Sequence, residues 1–394
     1  MKRATRTLTS GIIAVLILLG LARMFFFGIY YVDSPSMEPT LHGALEGGDH
    51  ALVVYGDASG LERFDLVVIQ HEGKREPLVK RVVALPGESV AVRGGDLWID
   101  EALLEPDQPH PQPVLIFDDE LLELESAFRV GEPWSRVEEG WLLDASAVPA
   151  GSDAGLMFMR LPLNDHYFGP DETLVLGKEG VGDGILEFEV RVEDPGTKVR
   201  LGLLEQGDKF EVTLATDASG SASATLERRT PQERSELAHT EVAFGVGFHE
   251  LRFSNVDDHL TFEIDRETIF SVKYEGNHLH PSDNSRSGLS LPTDRVYLGG
   301  EGGRLTLGNL RVYRDLHYTP RGKYASTESV QLGPGEIFVL GDNSRQSQDG
   351  RDWGPTDVGE VIGRPVGVVW PPSRMGRFPD PQGDSSAKKV DEGP

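Results

Sequence analysis

The chain of 394 residues contains no cysteine. This absence excludes disulfide bonds, zinc sites built on thiolates and a cysteine nucleophile. Positive charge is also scarce: 38 Lys and Arg residues stand against 64 Asp and Glu residues, which gives a formal net charge of −26 at pH 7. Because proteins bind nucleic acids through basic surfaces, we expect no nucleic-acid partner.

Long apolar sequence is confined to one run, Gly11 to Val32, which carries a single charge at Arg23. About 20 apolar residues are enough to cross the hydrocarbon core of a bilayer. Lys2, Arg3 and Arg6 precede the run and acidic residues follow it, so the positive-inside rule predicts a cytoplasmic N-terminus. We therefore expect a single-pass anchor in the plasma (inner) membrane, in contact with lipid, with the rest of the chain outside. A cleaved signal peptide is the alternative, but no small-x-small site directly follows the run.

The remaining sequence predicts a mainly β protein. Short strand-like runs bounded by Gly, Asp and Pro occur between Asp49 and Asp100 and again after Tyr318. Between them, runs such as ILEFEVRV alternate apolar and polar residues, which predicts half-buried antiparallel strands in a two-sheet sandwich. Parts of this region resemble concanavalin-like or laminin-G-like sandwiches. The predicted segments are an N-terminus with anchor (1–32), a β domain in two parts (33–132 and 317–373), an inserted sandwich (133–316) and a disordered tail (374–394).

Three polar blocks outside the sandwich carry candidate chemistry. Ser34 and Ser36 lie in a turn-rich segment directly after the apolar run, Lys80 lies within LVKRVVAL, and GDNSRQSQDGRDWG begins at Gly341. Burial lowers the pKa of a lysine, and a neutral amine can act as a general base toward a serine hydroxyl. Such Ser/Lys pairs need no histidine. Each block alone also fits an ordinary structural role: a turn serine, a strand lysine with its amine in water, or an Asx-rich turn.

Taken together, SPSMEPTL, VKRVVALPGE and GDNSRQSQDGRDWG resemble the sequence boxes of type I signal peptidases, which are membrane-anchored Ser/Lys endopeptidases. FDLVVI resembles the strand box between the first two. The resemblance covers about residues 1–107 and 326–372. It implies removal of signal peptides from exported preproteins at small-x-small sites, without a cofactor or metal. It does not imply the inserted sandwich.

The resemblance also implies a role for each matching residue. Ser36 would be the nucleophile and Lys80 the general base. Ser34 would assist the Ser36 backbone N–H in an oxyanion hole, and Ser347 would orient the lysine amine. The remaining implied positions are a supporting polar pair, Asp349 and Arg351, and an apolar substrate pocket, Val32, Met37, Leu41 and Val79.

Two other functions fit parts of the sequence. One is a catalytically inactive peptidase scaffold that presents a carbohydrate- or protein-binding sandwich. The other is a soluble, self-cleaving Ser/Lys repressor-like protease, which the apolar run and the acidic charge disfavour. The partner of the sandwich stays open: it binds a glycan or envelope component, or it is a spacer that shapes substrate access.

Overall fold

The computed structural model describes residues 20, 26–56, 58–104, 110–205, 207–216, 221–276, 296–326 and 328–378. The chain divides into two compact units. The first comprises Met1–Arg93, Leu97–Gln112 and Tyr318–Pro394, and the second comprises Gly94–Asp96 and Pro113–His317. The second unit includes residues ahead of 133 because the strand Val114–Asp118 pairs with a strand of the sandwich.

The first unit begins with short strands separated by turns rich in Gly, Pro and Asp, as expected for a mainly β domain. These strands are β1 (Phe27–Tyr31), β2 (His50–Tyr55), β3 (Leu66–Ile69), β4 (Leu78–Ala84), β5 (Ser89–Arg93), β6 (Asp96–Ile99) and β7 (Ala102–Leu103). A 3₁₀ helix, Pro35–Met37, separates β1 from β2.

Strand β1 corrects the predicted extent of the membrane anchor. The apolar run was expected to be helical to Val32, but Phe27–Tyr31 pairs antiparallel with His50–Tyr55 along its whole length. Aromatic residues favour strands when a partner strand satisfies their backbone groups. The rest of the predicted anchor, apart from Gly20 and Phe26, lies outside the described residues, as does the predicted tail from 379 onward. No helix in the described part of the chain has the length and apolar character needed to cross a bilayer.

The second unit is a succession of longer strands joined by short turns. In its first half they are β8 (Val114–Asp118), β9 (Phe128–Arg129), β10 (Trp134–Val137), β11 (Gly140–Asp144), β12 (Leu156–Met159), β13 (Tyr167–Phe168), β14 (Leu174–Val175), β15 (Gly184–Val192) and β16 (Lys198–Glu205). In its second half they are β17 (Asp208–Thr216), β18 (Ala222–Arg229), β19 (Arg234–Val242), β20 (Gly247–Val256), β21 (His259–Ile264), β22 (Glu267–Lys273), β23 (Val296–Glu301) and β24 (Arg304–Arg314). The helices are short: α1 (Leu124–Ala127) and the 3₁₀ turn Asp153–Gly155.

The C-terminal part of the chain completes the first unit. It contributes β25 (Val330–Gln331), β26 (Glu336–Leu340), α2 (Gly350–Trp353), β27 (Thr356–Asp357), β28 (Val361–Trp370) and β29 (Gly376–Arg377), with 3₁₀ turns at Val358–Glu360 and Pro372–Arg374. The main sheet has the order β1-β2-β28-β3-β4-β26-β27, with β29 paired to β28. A smaller sheet has the order β25-β5-β6-β7. Strands from both ends of the chain therefore alternate within the main sheet.

Two sheets form the second unit around one hydrophobic core. Their orders are β10-β11-β24-β15-β20-β21-β22, with β8 paired to β24, and β19-β18-β17-β16-β23-β12-β9. The apolar residues of the alternating runs, such as Phe188 on β15 and Val212 on β17, join a single buried cluster. This is the packing that period-2 alternation predicts for a two-sheet sandwich. The mainly β character of the chain is thereby confirmed.

Core packing in the sandwich yields the first prediction. Leu201 on β16 is 0% exposed and pairs with Val212 and Leu298 on the neighbouring strands. We expect Leu201→Ala to lower the free energy of unfolding by about 2–5 kcal/mol, because it removes buried methyl groups and leaves a cavity. Leu176, which is 67% exposed, is the matched control, and Leu176→Ala should change stability by about 0.5 kcal/mol or less. Urea unfolding followed by tryptophan fluorescence measures both, and equal effects would contradict the assigned core.

Candidate active site

Ser36 is presented by a tight turn that its neighbours hold in place. It is the middle residue of the 3₁₀ helix Pro35–Met37, in which Pro35 occupies the first helical position, where its fixed φ is favourable. Met37 is 1% exposed and anchors the turn in the core. The turn therefore leaves Ser36 half-buried. The exposed Ser34 is its neighbour in the turn, and the Oγ atoms of the two serines are 3.4 Å apart.

Lys80 is the partner of Ser36. Its Nζ lies 2.9 Å from the Ser36 Oγ and donates a hydrogen bond to it. The lysine sits on β4, between β3 and β26, and is 2% exposed. Burial lowers the pKa of Lys80 to about 8, although the negative charges of Asp349 and Asp342 oppose part of that shift. The structure thus brings together the serine and lysine that the sequence motifs single out, with an amine that loses its proton more readily than a solvated lysine does.

Asp349 and Arg351 form a buried ion pair behind the lysine. The guanidinium donates from Nε to Oδ1 at 2.9 Å and from Nη2 to Oδ2 at 2.7 Å. Arg351 also donates to the backbone carbonyls of Thr319 and Ser344, and Asp349 caps helix α2. Burial by itself would raise the pKa of Asp349, but its bonds to Arg351 outweigh this and the pKa is lowered. The pair therefore keeps a negative charge near the lysine amine. It also stabilises the conformation of the segment that begins with Gly341-Asp342-Asn343, called the GDN loop below.

A second buried pair, Arg81–Asp342, was not among the predicted site residues. Arg81 donates from Nε to Asp342 Oδ1 at 2.7 Å, and its Nη1 donates to the carbonyl of Phe64 at 2.9 Å. Thr40 completes the group by donating to Asp342 Oδ2 at 2.5 Å. These bonds tie the segment after Ser36, strand β4 and the GDN loop together. In the sequence, this pair could have been found only from its position in the motifs. Arg81 directly follows Lys80, and Asp342 directly follows Gly341.

Ser347 lies in the site, but not in the contact predicted for it. Its Oγ is buried and has no hydrogen-bond partner within the described residues, so the expected bond to the Lys80 amine is not formed here. Ser347 is close enough to Asp349 to favour its charged form. A Cβ at Gly341 would come within 2.2 Å of the Ser347 Oγ and 2.5 Å of the Ser36 carbonyl oxygen. Glycine at 341 therefore permits the close approach of this loop to Ser36, and the role of Ser347 stays a prediction.

The four predicted pocket residues lie in one apolar cluster. Val32, Met37 and Leu41 are its buried members, and Val79 packs against them. The cluster also includes Ala51, Leu66 and Val368. It lies next to the turn that carries Ser36, because Met37 belongs to both.

A histidine near Ser36, His42, pairs with a glutamate instead of the serine. His42 Nδ1 lies 2.6 Å from Glu38 Oε1, and the structure gives it no hydrogen bond to Ser36. Glu38 is 4% exposed, and burial raises its pKa although His42 and the Gly43 N–H act against the rise. In the described residues of the first unit, no three His, Asp or Glu side chains bring ligand atoms close enough to share a metal ion.

Comparison with known proteins gives the family of the chain. A family model described as signal peptidase, peptidase S26, matches residues 5–133 and 288–370, which is more than half of the chain. The chain belongs to this family. Signal peptidase I of Bacillus amyloliquefaciens is 36% identical to this signal peptidase family member over 99 residues, which are 25% of this chain and 51% of that protein. Signal peptidase I of Streptococcus pneumoniae serotype 4 is 32% identical over 96 residues, which are 24% of this chain and 43% of that protein.

The chain thus spans about half the length of the curated relatives it matches. The two stretches matched by the signal peptidase model are separated by residues 134–287, which belong to the second unit. This confirms the predicted resemblance to type I signal peptidases, with a large inserted β-sandwich in this chain. Among solved structures, a carbohydrate-binding module, CBM66 from Bacillus subtilis, covers 48% of this chain and 95% of its own length at 11% identity, with a TM-score of 0.29. A likeness this distant assigns no ligand to the sandwich.

The burial of Lys80 predicts an abnormal titration. We expect its amine to titrate with a midpoint of about pH 8, because burial lowers its pKa to about 8, whereas a solvated lysine titrates near 10.4. NMR of protein labelled with ¹³C at the lysine Cε, in detergent, measures the midpoint. The spectrum of Lys80→Ala identifies the signal by its loss. A Lys80 signal that moves together with the solvated lysines would contradict the buried site.

Proposed function

We propose that this chain is a signal peptidase I: a serine endopeptidase that removes N-terminal signal peptides from exported preproteins with a Ser/Lys dyad. The observation that carries the proposal is the 2.9 Å contact between the Lys80 Nζ and the Ser36 Oγ, made by an amine that is 2% exposed. Membership of the S26 family supports the same activity. The inactive-scaffold alternative has no comparable observation in its favour.

The first chemical step uses the neutral form of Lys80. Its amine takes the proton of the Ser36 hydroxyl while the Ser36 oxygen attacks the carbonyl carbon of the scissile peptide. The resulting ammonium then gives its proton to the leaving amine nitrogen, and the peptide C–N bond breaks. An acyl-enzyme ester on Ser36 remains. Because the amine has a pKa of about 8, it is near the range in which a general base is both present and strong enough to act.

The second step returns the enzyme to its starting state. Lys80 removes a proton from water while the water oxygen attacks the ester carbonyl carbon. The ester C–O bond then breaks, the Lys80 ammonium gives its proton to the Ser36 oxygen, and the signal peptide leaves with a free carboxyl group. In both steps negative charge develops on the carbonyl oxygen. We propose that the Ser36 backbone N–H and the Ser34 hydroxyl donate to this oxygen, and the 3.4 Å separation of the two serine Oγ atoms is compatible with that role.

Substrate preference would follow from the apolar cluster beside Ser36. We propose that an extended preprotein segment pairs with a strand edge and places its small side chains against the cluster of Val32, Met37, Leu41 and Val79. These residues belong to or pack against one apolar cluster, which would accept the small apolar side chains of small-x-small sites. Asp349 and Arg351 would support the lysine, and Ser347 would orient its amine once substrate has excluded water.

Two substitutions test the dyad. We expect Ser36→Ala and Lys80→Ala to lower kcat/KM for a small-x-small preprotein roughly 10⁴-fold or more, because each removes a group that acts in the chemical step. For the wild type, kcat/KM should rise with pH and level off above about pH 8, as Lys80 becomes neutral. Cleavage in detergent, followed by gel shift, provides the rates.

Matched controls come from exposed positions in the second unit. Ser135→Ala and Lys178→Ala remove the same functional groups at exposed sites and should cleave at the wild-type rate. Circular dichroism checks that the two site variants remain folded. A folded Lys80→Ala variant that still cleaves the preprotein would contradict the Ser/Lys mechanism. A wild-type protein that does not cleave the preprotein would favour the inactive-scaffold alternative.

We further propose that the apolar run beginning at Gly11 anchors the chain in the plasma membrane lipid, with the N-terminus in the cytoplasm and the residues after the run outside. The proposal is supported by the apolar run and by the basic residues ahead of it. The location would place Ser36 at the membrane face from which a preprotein's cleavage site emerges. For the sandwich, a glycan or envelope partner and a spacer role both remain hypotheses.

The absence of native cysteine makes a topology test direct. Leu45, which is 87% exposed, and Lys2 can each be changed to cysteine singly. We expect Leu45→Cys to react with a membrane-impermeant maleimide in intact spheroplasts, and Lys2→Cys to react only after lysis. Labelling of Lys2→Cys in intact spheroplasts, or of neither variant before lysis, would contradict the proposed orientation.

A further inference from the structure

The turn between β3 and β4, residues 70–77, contacts the GDN loop through one lysine. Lys74 donates a hydrogen bond from its Nζ to the Oε1 of Gln348 at 2.8 Å. Gln348 directly precedes Asp349 in the sequence, and Asp349 is the carboxylate whose charge acts most strongly on Lys80. The contact therefore joins the turn to the stretch of the GDN loop that shapes the environment of the lysine amine.

The same turn packs on the indole of Trp353 in α2. The ring of His71 is stacked on this indole, with centroids 4.5 Å apart and an interplanar angle of 23°. The Lys74 Nζ lies 5.9 Å from the indole centroid, within the range in which a cation is attracted to an aromatic face. Trp353 itself packs against a buried apolar cluster of the first unit, so it is a firm support. His71, Lys74 and Trp353 are together called the brace below.

Hydrogen bonds within the turn fix the backbone from which the Lys74 side chain extends. The Lys74 N–H donates to the His71 carbonyl at 3.1 Å, and the Gln70 Nε2 donates to the Lys74 carbonyl at 3.0 Å. Glu360 holds the other end, because its Oε2 lies 2.8 Å from the His71 Nδ1. A long side chain on a fixed backbone loses less freedom when it makes its contact, so the turn favours the bond to Gln348.

We propose that Lys74 is a positioning residue for the Ser/Lys reaction, an inference that rests on the proposed function. Through the brace and Gln348 it holds the GDN loop beside Lys80. The buried pair Asp349–Arg351 fixes this loop from inside the unit, whereas the bond from Lys74 lies at its exposed side. The loop is thus held on both sides, and a small displacement of groups around a reacting centre can slow a reaction markedly.

The neutral partner of Lys74 leaves its charge able to act on the site. Gln348 carries no charge, and within the described residues no carboxylate forms an ion pair with the Lys74 amine. Burial is the main cause of the lowered pKa of Lys80. The charges that act on that pKa most strongly are two that raise it, Asp349 and Asp342, and two that lower it, Arg351 and Lys74. Lys74 therefore favours the neutral amine, as burial does.

Substitutions at two positions separate the charge from the hydrogen bond. Lys74→Met removes both, Gln348→Ala removes only the acceptor, and Lys74→Arg keeps a cation that can donate. In the full chain in detergent, the Lys80 amine of Lys74→Met should titrate about 0.3 pH units above the wild type, because a like charge is lost. In Lys74→Arg the midpoint should stay at the wild-type value. NMR of ¹³C-labelled lysine measures these midpoints without a cleavage assay, so the result is independent of the proposed peptidase activity.

Cleavage kinetics provide the second readout. Lys74→Met and Gln348→Ala should each lower kcat for a small-x-small preprotein roughly 3–10-fold with less change in KM, because the brace acts through the GDN loop on Lys80 rather than on binding. In Lys74→Met the rise of kcat/KM should also move to higher pH. Lys74→Arg should keep most of the wild-type activity. A wild type that cleaves no preprotein would contradict the proposed function, whereas the NMR midpoints would still test the action of Lys74 on Lys80.

Lys323→Met is the matched control. Lys323 is an exposed lysine of the same unit, and its Nζ also lies over an aromatic ring, that of Tyr324, at 5.0 Å. It is not among the charges that act most strongly on Lys80, so its substitution should change neither the midpoint nor kcat. A folded Lys74→Met variant with the wild-type midpoint and kcat would overturn the proposal, even if its Tm were lower. Equal effects of Lys74→Met and Lys323→Met would overturn it as well.

Discussion

Burial of one amine, that of Lys80, is the constraint on which the first unit depends. A lysine placed between two strands of a sheet loses its hydration, and this favours the neutral form. The same strands bring its Nζ to 2.9 Å from the Ser36 Oγ. The lowered pKa of Lys80 and its contact with Ser36 therefore have one origin, which is the position of β4 between β3 and β26. Water reaching this strand would weaken both.

Two buried ion pairs adjust that environment and hold it together. Asp349 and Asp342 raise the pKa of Lys80 against the effect of burial. The pKa of the amine is therefore lowered, but the amine can still be protonated below about pH 8. Each carboxylate is in turn bound bidentately by an arginine, Arg81 or Arg351. Because breaking a buried pair leaves an uncompensated charge, these pairs act as structural ties between the segments that bear Ser36, Lys80 and the GDN loop.

The order of strands explains how one chain accommodates a large insertion. β26 pairs with β4, and β28 pairs with β2 and β3, so the main sheet is complete only after residues 330–370 have returned to it. The second unit has its own core, built from the inner faces of its two sheets. Each unit therefore has its own apolar clusters, and the insertion need not alter the packing that positions Ser36 and Lys80.

The sequence by itself determined those features that local patterns encode. Period-2 alternation defined the sandwich strands, and three motifs defined the family and singled out Ser36 and Lys80. Only the tertiary structure decided which distant residues meet: Arg81 with Asp342, and Lys74 with Gln348. It also decided that Phe27–Tyr31 is a strand, since an apolar aromatic run suits a membrane helix or a sheet edge equally. The partner strand His50–Tyr55 settles the choice, because its backbone satisfies hydrogen bonds that no local pattern specifies.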